Sequence, residues 1–199
     1  METNNVFEMM ACRYDTEERV HNAKIIAQAI RAELTDTKQR TALDYGCGTG
    51  LVGLALIDLF SFMTLVDASL KMVEQVRLKI EGARIENASA LCADFLQEPP
   101  QVQADYVLVS QVLLHIRDTR AILTRLFDAV NPGGHLIVVD FDRNESIVSD
   151  RVHPGFDQAA LTGLLKEIGF ASAAAHTFYH GQQIFMKQDA SMFILDARK

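Results

Sequence analysis

The sequence predicts an α/β fold: a single, doubly wound, mostly parallel seven-stranded sheet with an antiparallel C-terminal hairpin. Short apolar segments alternate with amphipathic helical patterns, as expected for parallel strands joined by right-handed helical crossovers. Residues 171–179 and 191–197 are β-like and have no helical period between them, which indicates the hairpin. The 199 residues suffice for one such domain, so we expect a single domain over residues 1–199, with residues 1–36 as an N-terminal lid and helix.

Residues with helix-capping side chains mark the starts of the predicted helices. Asp15 precedes Glu18 by three residues, and an apolar stripe at helical spacing then runs from Val20 to Leu34. Residues 51–60 are apolar on nearly every side and predict a buried helix. The other predicted caps are Ser69, Asp118 and Asp157, and Gly169 is predicted to end the last helix. The first five strands are predicted at residues 41–45, 62–66, 89–93, 105–110 and 135–141.

The charge balance bears on possible partners. The chain has 19 Lys and Arg against 26 Asp and Glu, a formal net charge of −7. Nucleic acids and anionic membranes are bound by basic surfaces, so we expect neither as a partner. The longest apolar run, residues 51–60, is too short to span a bilayer.

The cysteines and histidines exclude two kinds of site. Cys12, Cys47 and Cys92 are odd in number and widely spaced, so we interpret them as reduced thiols of a cytoplasmic protein. The N-terminus has no signal-peptide pattern, which agrees with this expectation. The histidines lack the spacing of metal ligands, and we expect no metal. The sequence leaves the oligomeric state open.

A glycine-rich loop follows the first predicted strand and opens a helix, in residues 44–50 (DYGCGTG). Glycines let the backbone turn tightly and let a ligand approach closely, and free N–H groups at a helix start suit an anionic group. The spacing is G-x-G-x-G rather than the G-x-G-x-x-G of dinucleotide-binding loops. Asp44, two residues before the first glycine, suits an amino-acid ammonium better than a pyrophosphate.

Acidic residues also follow the next two predicted strands. Asp67 lies at the tip of the second strand, about 20 residues after the first glycine, where a carboxylate can accept both hydroxyls of a ribose. Asp94 follows the third strand, where it can accept from an adenine amino group while Phe95 or a neighbour packs on the ring. Each acid alone is equally typical of a turn or a cap, and the glycine loop is what favours a nucleoside ligand.

Together these motifs resemble those of class I S-adenosylmethionine-dependent methyltransferases, in the small-molecule branch that includes quinone-biosynthesis-like enzymes. Residues 43–50 match the family's first motif, Asp67 its ribose-binding acid and Asp94 its adenine-side acid. Residues 105–116 match its fourth-strand motif, and residues 131–134 match the turn before strand five. The resemblance covers nearly the whole chain and implies a Rossmann-like methyltransferase fold.

The resemblance also implies the cofactor S-adenosylmethionine and roles for individual residues. The glycines would lie against its methionine portion, with Asp44 near its ammonium and Asp67 on its ribose. Ser110 would present its carbonyl to the ammonium, and Tyr14, next to Asp15, would close over the cofactor. The predicted cofactor contacts are Tyr14, Asp44, Gly46, Cys47, Gly48, Asp67, Ala68, Asp94, Phe95 and Ser110.

The expected reaction is in-line transfer of a methyl group to a small-molecule acceptor in a closed pocket, where alignment lowers the barrier. The candidate catalytic bases are His115, after the fourth strand, and His153, after the fifth. Many relatives carry two adjacent histidines after strand four, whereas Leu114 stands at one of the positions here. Two alternatives remain open: a nicotinamide-dependent oxidoreductase, which the glycine spacing disfavours, and a non-catalytic S-adenosylmethionine-binding protein.

Overall fold

The computed structural model of the protein describes residues 8, 11–98, 100–150 and 152–199. The predicted lid residues 1–7, 9 and 10 and the predicted thiol of Cys12 lie outside this description. Cys47 and Cys92 are both free cysteines, as expected. In the described part of the chain, none of the helices is both long and apolar enough to cross a membrane.

Seven strands form one sheet in the order β3-β2-β1-β4-β5-β7-β6. The first five strands are parallel, and β7 pairs antiparallel with both β5 and β6. The predicted doubly wound sheet with a closing hairpin is therefore confirmed. The strands are β1 (Thr41–Tyr45), β2 (Phe62–Asp67), β3 (Ala88–Cys92), β4 (Ala104–Ser110), β5 (Val130–Phe141), β6 (Ser172–Phe185) and β7 (Gln188–Arg198).

Helices cover both faces of the sheet, which is why its central strands are almost wholly apolar. One face packs against the first helix through buried residues such as Ile26 and Ile30, and the other packs against the third and fourth helices. Strand order reverses between β1 and β4, so ligands are expected at the carboxyl ends of these strands. The α-helices are α1 (Glu17–Glu33), α2 (Leu70–Gly82), α3 (Thr119–Ala129) and α4 (Gln158–Ile168).

Three of the four predicted helix caps are confirmed. The side chains of Ser69, Asp118 and Asp157 each accept a hydrogen bond from the backbone N–H three residues later. The prediction for α1 is wrong by one residue, because Thr16 is its cap and accepts from the N–H of Arg19 at 3.3 Å. Asp15 is instead bonded to two residues of distant segments, which are described with the site below.

Residues 51–60 differ from the predicted helix. They contain a 3₁₀ helix over Gly53–Leu59, with Gly53 and Leu56 buried as expected. Gly53 packs so closely on β1 that an added Cβ would lie 2.5 Å from a carboxylate oxygen of Asp44. A short, tight helix with glycine at its start fits this close approach better than a longer α-helix does.

Three strand boundaries lie several residues beyond the predicted ones. β5 starts at Val130 instead of residue 135, because residues 131–134 form an irregularity that shifts its register against β4. The hairpin strands β6 and β7 extend to a two-residue turn, Met186 and Lys187, in which both φ angles are positive (50° and 62°). Such turns usually contain Asn or Gly, so the sequence carries no signal for this one.

The core assignment can be tested at α3. Leu126 is fully buried, and Leu126→Ala removes its contacts and leaves a cavity. We expect the free energy of unfolding to fall by about 2–5 kcal/mol, measured by urea denaturation followed by circular dichroism. Leu78→Ala, at a residue 62% exposed on α2, is the matched control. A change within about 0.5 kcal/mol is expected there, and equal losses in both variants would contradict the assigned faces.

Candidate functional site

The glycine loop lies at the carboxyl end of β1, where strand order reverses. Gly46, Gly48 and Gly50 have φ angles of 70°, 55° and 80°, a backbone region that favours glycine. The N–H groups of Gly46 and Cys47 donate to the carbonyl of Val66 at 2.8 and 3.0 Å. The start of the loop is therefore hydrogen-bonded to the end of β2.

Asp67 joins this loop to the next helix. One of its carboxylate oxygens accepts the N–H of Gly48 and the other accepts the N–H of Ser69, each at 2.8 Å. Burial raises the pKa of Asp67, and these two amides partly offset the rise. Ala68 follows at the surface of the same corner, with the thiol of Cys92 near its carbonyl at 3.7 Å.

Asp44 is the most unusual group of the site. It is 1% exposed, and neither carboxylate oxygen has a hydrogen-bond partner of normal geometry among the described residues. Burial, and next the charge of Asp67, raise its pKa to about 7, while the nearby N–H of Gly53 opposes the rise. A buried carboxylate without a partner is costly, so a cation bound beside Asp44 would stabilise its ionised form.

The segment before α1 lies against the glycine loop. A Cβ added to Gly48 would be 3.7 Å from the ring of Tyr14, so the tyrosine covers this glycine. Asp15 accepts from the hydroxyl of Thr49 at 2.5 Å and from Nζ of Lys79 at 2.7 Å. Lys79 also donates to the carbonyl of Thr49 at 2.8 Å. Sequence reasoning missed Thr49 and Lys79, because nothing local marks them as partners of Asp15.

Of the two residues predicted on the adenine side, only one lies where a ligand can reach its side chain. Asp94 is half-buried and caps a turn by accepting the N–H of Leu96 at 2.9 Å. Phe95 is 1% exposed, and its ring packs on Tyr45 with centroids 4.6 Å apart. The structure thus corrects the expectation for the Phe95 ring. Its neighbour Leu96, 39% exposed, is the apolar side chain available at this position.

Ser110 ends β4 beside the glycine loop. The residue after it, Gln111, has φ of 54° and donates from its side-chain amide to the sulfur of Met192 at 3.6 Å, a weak contact. A Cβ on Gly46 would lie 2.4 Å from Val112, so only glycine lets the two loops approach this closely. The segment that follows Ser110 therefore packs directly against the glycine loop.

Asp140, at the end of β5, is a residue that sequence reasoning missed. It is fully buried and accepts the N–H groups of Leu114 at 3.2 Å and Phe141 at 2.9 Å. Burial raises its pKa to about 7, and the backbone amides around it oppose that rise. An acid near the end of an otherwise apolar strand, at the ligand-binding edge, is the signal that could have found it.

The two candidate histidines lie on neighbouring segments. His115 ends the 3₁₀ turn Leu113–His115 after β4, and burial lowers its pKa to about 4. His153, in the loop between β5 and α4, hydrogen-bonds to this turn. His176 and His180 lie on β6 and contact Glu33 and Ser191. Within the described ranges, no group of three or more His, Cys, Asp or Glu residues has the geometry to hold a metal ion.

These features fit an amino-acid nucleoside. The buried carboxylate of Asp44 suits an ammonium, and the oxygens of Asp67 suit hydroxyl donors. The thiol of Cys47 is half-buried in the loop, and burial raises its pKa, so it is not a reactive nucleophile. The site offers main-chain groups and carboxylates, which is the chemistry expected for binding S-adenosylmethionine.

Comparison with known proteins identifies relatives of this chain. A family model described as a methyltransferase domain matches residues 36–186. An uncharacterized methyltransferase of Mycobacterium tuberculosis is 34% identical over 121 residues, 60% of this chain and 60% of that protein. A ubiquinone biosynthesis O-methyltransferase of Bradyrhizobium sp. is 29% identical over 102 residues, 51% of this chain and 40% of that protein. The chain spans at most 60% of the length of these two curated relatives.

A solved structure gives the same result for the fold. The complex of DhpI with SAH (S-adenosylhomocysteine) superposes with a TM-score of 0.72 at 20% identity, over 98% of this chain and 94% of that one. The predicted Rossmann-like methyltransferase fold is confirmed by this likeness. Because the family model matches well over half of the chain, the protein belongs to the methyltransferase domain family.

Proposed function

We propose that this chain is an S-adenosylmethionine-dependent methyltransferase that acts on a small-molecule acceptor. The observation that carries the proposal is the buried, unpartnered carboxylate of Asp44 beside the loop that Asp67 holds in place. When bound, S-adenosylmethionine supplies an electrophilic methyl group on a sulfonium. The residues of this chain bind it, orient it and exclude water, and alignment with the acceptor lowers the barrier.

Asp67 is assigned to the ribose because its acceptor capacity is only partly used. A carboxylate has about four lone-pair sites, and the N–H groups of Gly48 and Ser69 use one on each oxygen. Each oxygen can therefore accept one further hydrogen bond from a hydroxyl group. Asp94 is assigned to the adenine amino group, with Ala68 between the two acids along the nucleoside.

The methionine portion is assigned to the glycine loop and to Asp44. Gly46, Cys47 and Gly48 are assigned to this portion through their main-chain groups, and the carbonyl of Ser110 is the second acceptor for the ammonium. A cation near Asp44 would lower its pKa from about 7, so binding would ionise the carboxyl. Because an ammonium would neutralise the buried charge of Asp44, the site would prefer a zwitterionic amino acid over a pyrophosphate.

The N-terminal segment is assigned as a lid over this cofactor. Tyr14 covers Gly48, and Asp15 ties the segment to Thr49 and Lys79. We therefore assign residues 1–199 to a single domain in which residues 1–36 are the lid and its helix. The net charge of −7 supports a small-molecule acceptor over a nucleic acid.

The ribose assignment is tested by Asp67→Ala. The variant loses two charge-assisted acceptor positions, so we expect affinity for S-adenosylhomocysteine to fall by about 100-fold, equivalent to about 3 kcal/mol. Isothermal titration calorimetry measures the affinity, with thermal melting as the check on folding. Asp128→Ala, at an exposed acid of α3, is the matched control and should bind like the wild type. Unchanged affinity in Asp67→Ala would remove Asp67 from the site.

The assignment of Asp44 predicts a pH dependence. Only the ionised carboxylate pairs with an ammonium, and its pKa without ligand is about 7. Affinity for S-adenosylhomocysteine should therefore weaken about tenfold as the pH falls from about 8 to about 6. Asp44→Asn should bind more weakly at pH 8 and lose this dependence, again by calorimetry. The same slope in the variant and the wild type would show that another group titrates.

Methyl transfer itself is tested with S-adenosylmethionine and a panel of small hydroxyl, thiol and amine compounds. We expect S-adenosylhomocysteine to form with at least one panel member, and Asp67→Ala to abolish its formation at subsaturating cofactor. Tight binding of S-adenosylmethionine without turnover on any member would favour a non-catalytic binding protein. Thermal stabilisation by NAD(P)H and not by S-adenosylmethionine would favour the oxidoreductase.

A further inference from the structure

The turn that carries His115 is held by one residue of a distant loop. The backbone N–H of His153 donates to the carbonyl of Leu114 at 2.8 Å. The ring Nε2 of the same residue lies 2.8 Å from the carbonyl oxygen of Ile116. Leu114 and Ile116 are the two neighbours of His115 in the chain. His153 is therefore hydrogen-bonded to the residue before His115 and to the residue after it.

The ring contact fixes which nitrogen of His153 carries a proton. A carbonyl oxygen only accepts, so Nε2 must be the donor. The neutral Nε2–H tautomer and the imidazolium both have this donor, and the contact persists in either state. Nε2 of His153 is therefore not available to accept a proton from a methyl acceptor.

The loop around His153 is itself anchored to β5. The N–H of Asn144 donates to the carbonyl of Pro154 at 2.7 Å, and the N–H of Phe156 donates to that of Phe141 at 2.9 Å. Gly155 has φ of 90°, and a Cβ there would lie 2.3 Å from the carbonyl oxygen of Asp142. The three residues that follow His153 are thus anchored to the end of β5 and the segment after it.

A residue of β5, Asp140, also hydrogen-bonds to this turn. Its carboxylate accepts the N–H of Leu114 at 3.2 Å, while the carbonyl of that residue accepts from His153. Asp140 and His153 are the titratable groups seen to bond to the turn from the described elements packed on it. Three main-chain groups next to His115, the N–H and carbonyl of Leu114 and the carbonyl of Ile116, are therefore held from outside the turn.

We propose that His153 is a positioning residue that clamps the turn of His115 at the acceptor side of the site, and that its Nε2 serves as a donor to this turn and not as a base. This inference rests on the proposed methyltransferase function. Clamping keeps His115 buried, and burial keeps it uncharged near neutral pH. An imidazolium at this edge would repel the cationic sulfonium of the cofactor, whereas a neutral ring does not.

The test separates a donor at the Nε2 position from an ionisable ring. His153→Gln keeps an N–H donor at about the reach of Nε2 but cannot titrate, and His153→Phe keeps the ring without the donor. His176→Gln, at a histidine of β6 outside the site, is the matched control. The imidazole of His115 is titrated by NMR in each protein, and affinity for S-adenosylhomocysteine is measured by calorimetry.

We expect His115 to titrate near its low wild-type value, about 4, in His153→Gln and in the control. In His153→Phe its pKa should rise by about one unit or more toward the ordinary value of about 6.5, because the released turn admits water. Cofactor affinity should stay within about twofold in all variants, since His153 touches no proposed cofactor residue. If the wild-type protein does not bind S-adenosylhomocysteine, that result counts against the proposed function and not against the clamp.

Three results would overturn the clamp. The first is an unchanged His115 titration in a folded His153→Phe protein, and the second is the same large shift in both His153 variants. The third needs no variant: ¹⁵N chemical shifts of the wild-type ring at high pH report which nitrogen carries the proton. A neutral Nδ1–H tautomer of His153 would exclude the bond to Ile116.

Discussion

The carboxylate of Asp67 is the constraint on which the rest of the site depends. Its two oxygens bind the N–H of Gly48 on one side and the N–H of Ser69 on the other, both at 2.8 Å. The first bond shapes the glycine loop after β1, and the second sets the start of α2. Because these amides also oppose the rise in pKa that burial causes, the bonds that shape the site favour the charged form that a ligand needs.

Asp44, Asp67 and Asp140 lie at the same edge of the sheet and differ in how their charges are compensated. Asp67 and Asp140 accept backbone N–H groups, whereas Asp44 has no such partner of normal geometry among the described residues. An apolar side chain at position 44 would stabilise the ligand-free fold better, since ionising a buried carboxylate without a partner is costly. The acid is therefore best explained by the ligand it would pair with, and the site is built at some expense of stability.

The parts of the fold that the sequence predicts are those governed by a few neighbouring residues. Ser69 caps its helix as expected, because an N-cap needs only the backbone three residues on. Asp15 and Thr16 both satisfy that local rule, and the choice between them is made by Thr49, 34 residues away. Phe95 is a similar case. Its ring packs in the core against Tyr45 of β1, and no local pattern in the sequence indicates this contact. Long-range contacts decided both of these positions.

The two proposed halves of the site are formed by different kinds of segment, and this difference bears on how the acceptor would be selected. The proposed cofactor half includes strand ends and main-chain groups of β1 and β2, which the sheet itself fixes. The proposed acceptor half consists of the turn after β4 and the loop after β5, and loops of this kind can vary without disturbing the sheet. Yet these two segments are not independent, because His153 of one is bonded to Leu114 and Ile116 of the other. Under the proposed function, a change in the loop after β5 that displaces His153 would also act on the turn that carries His115, and the two segments would set acceptor choice together.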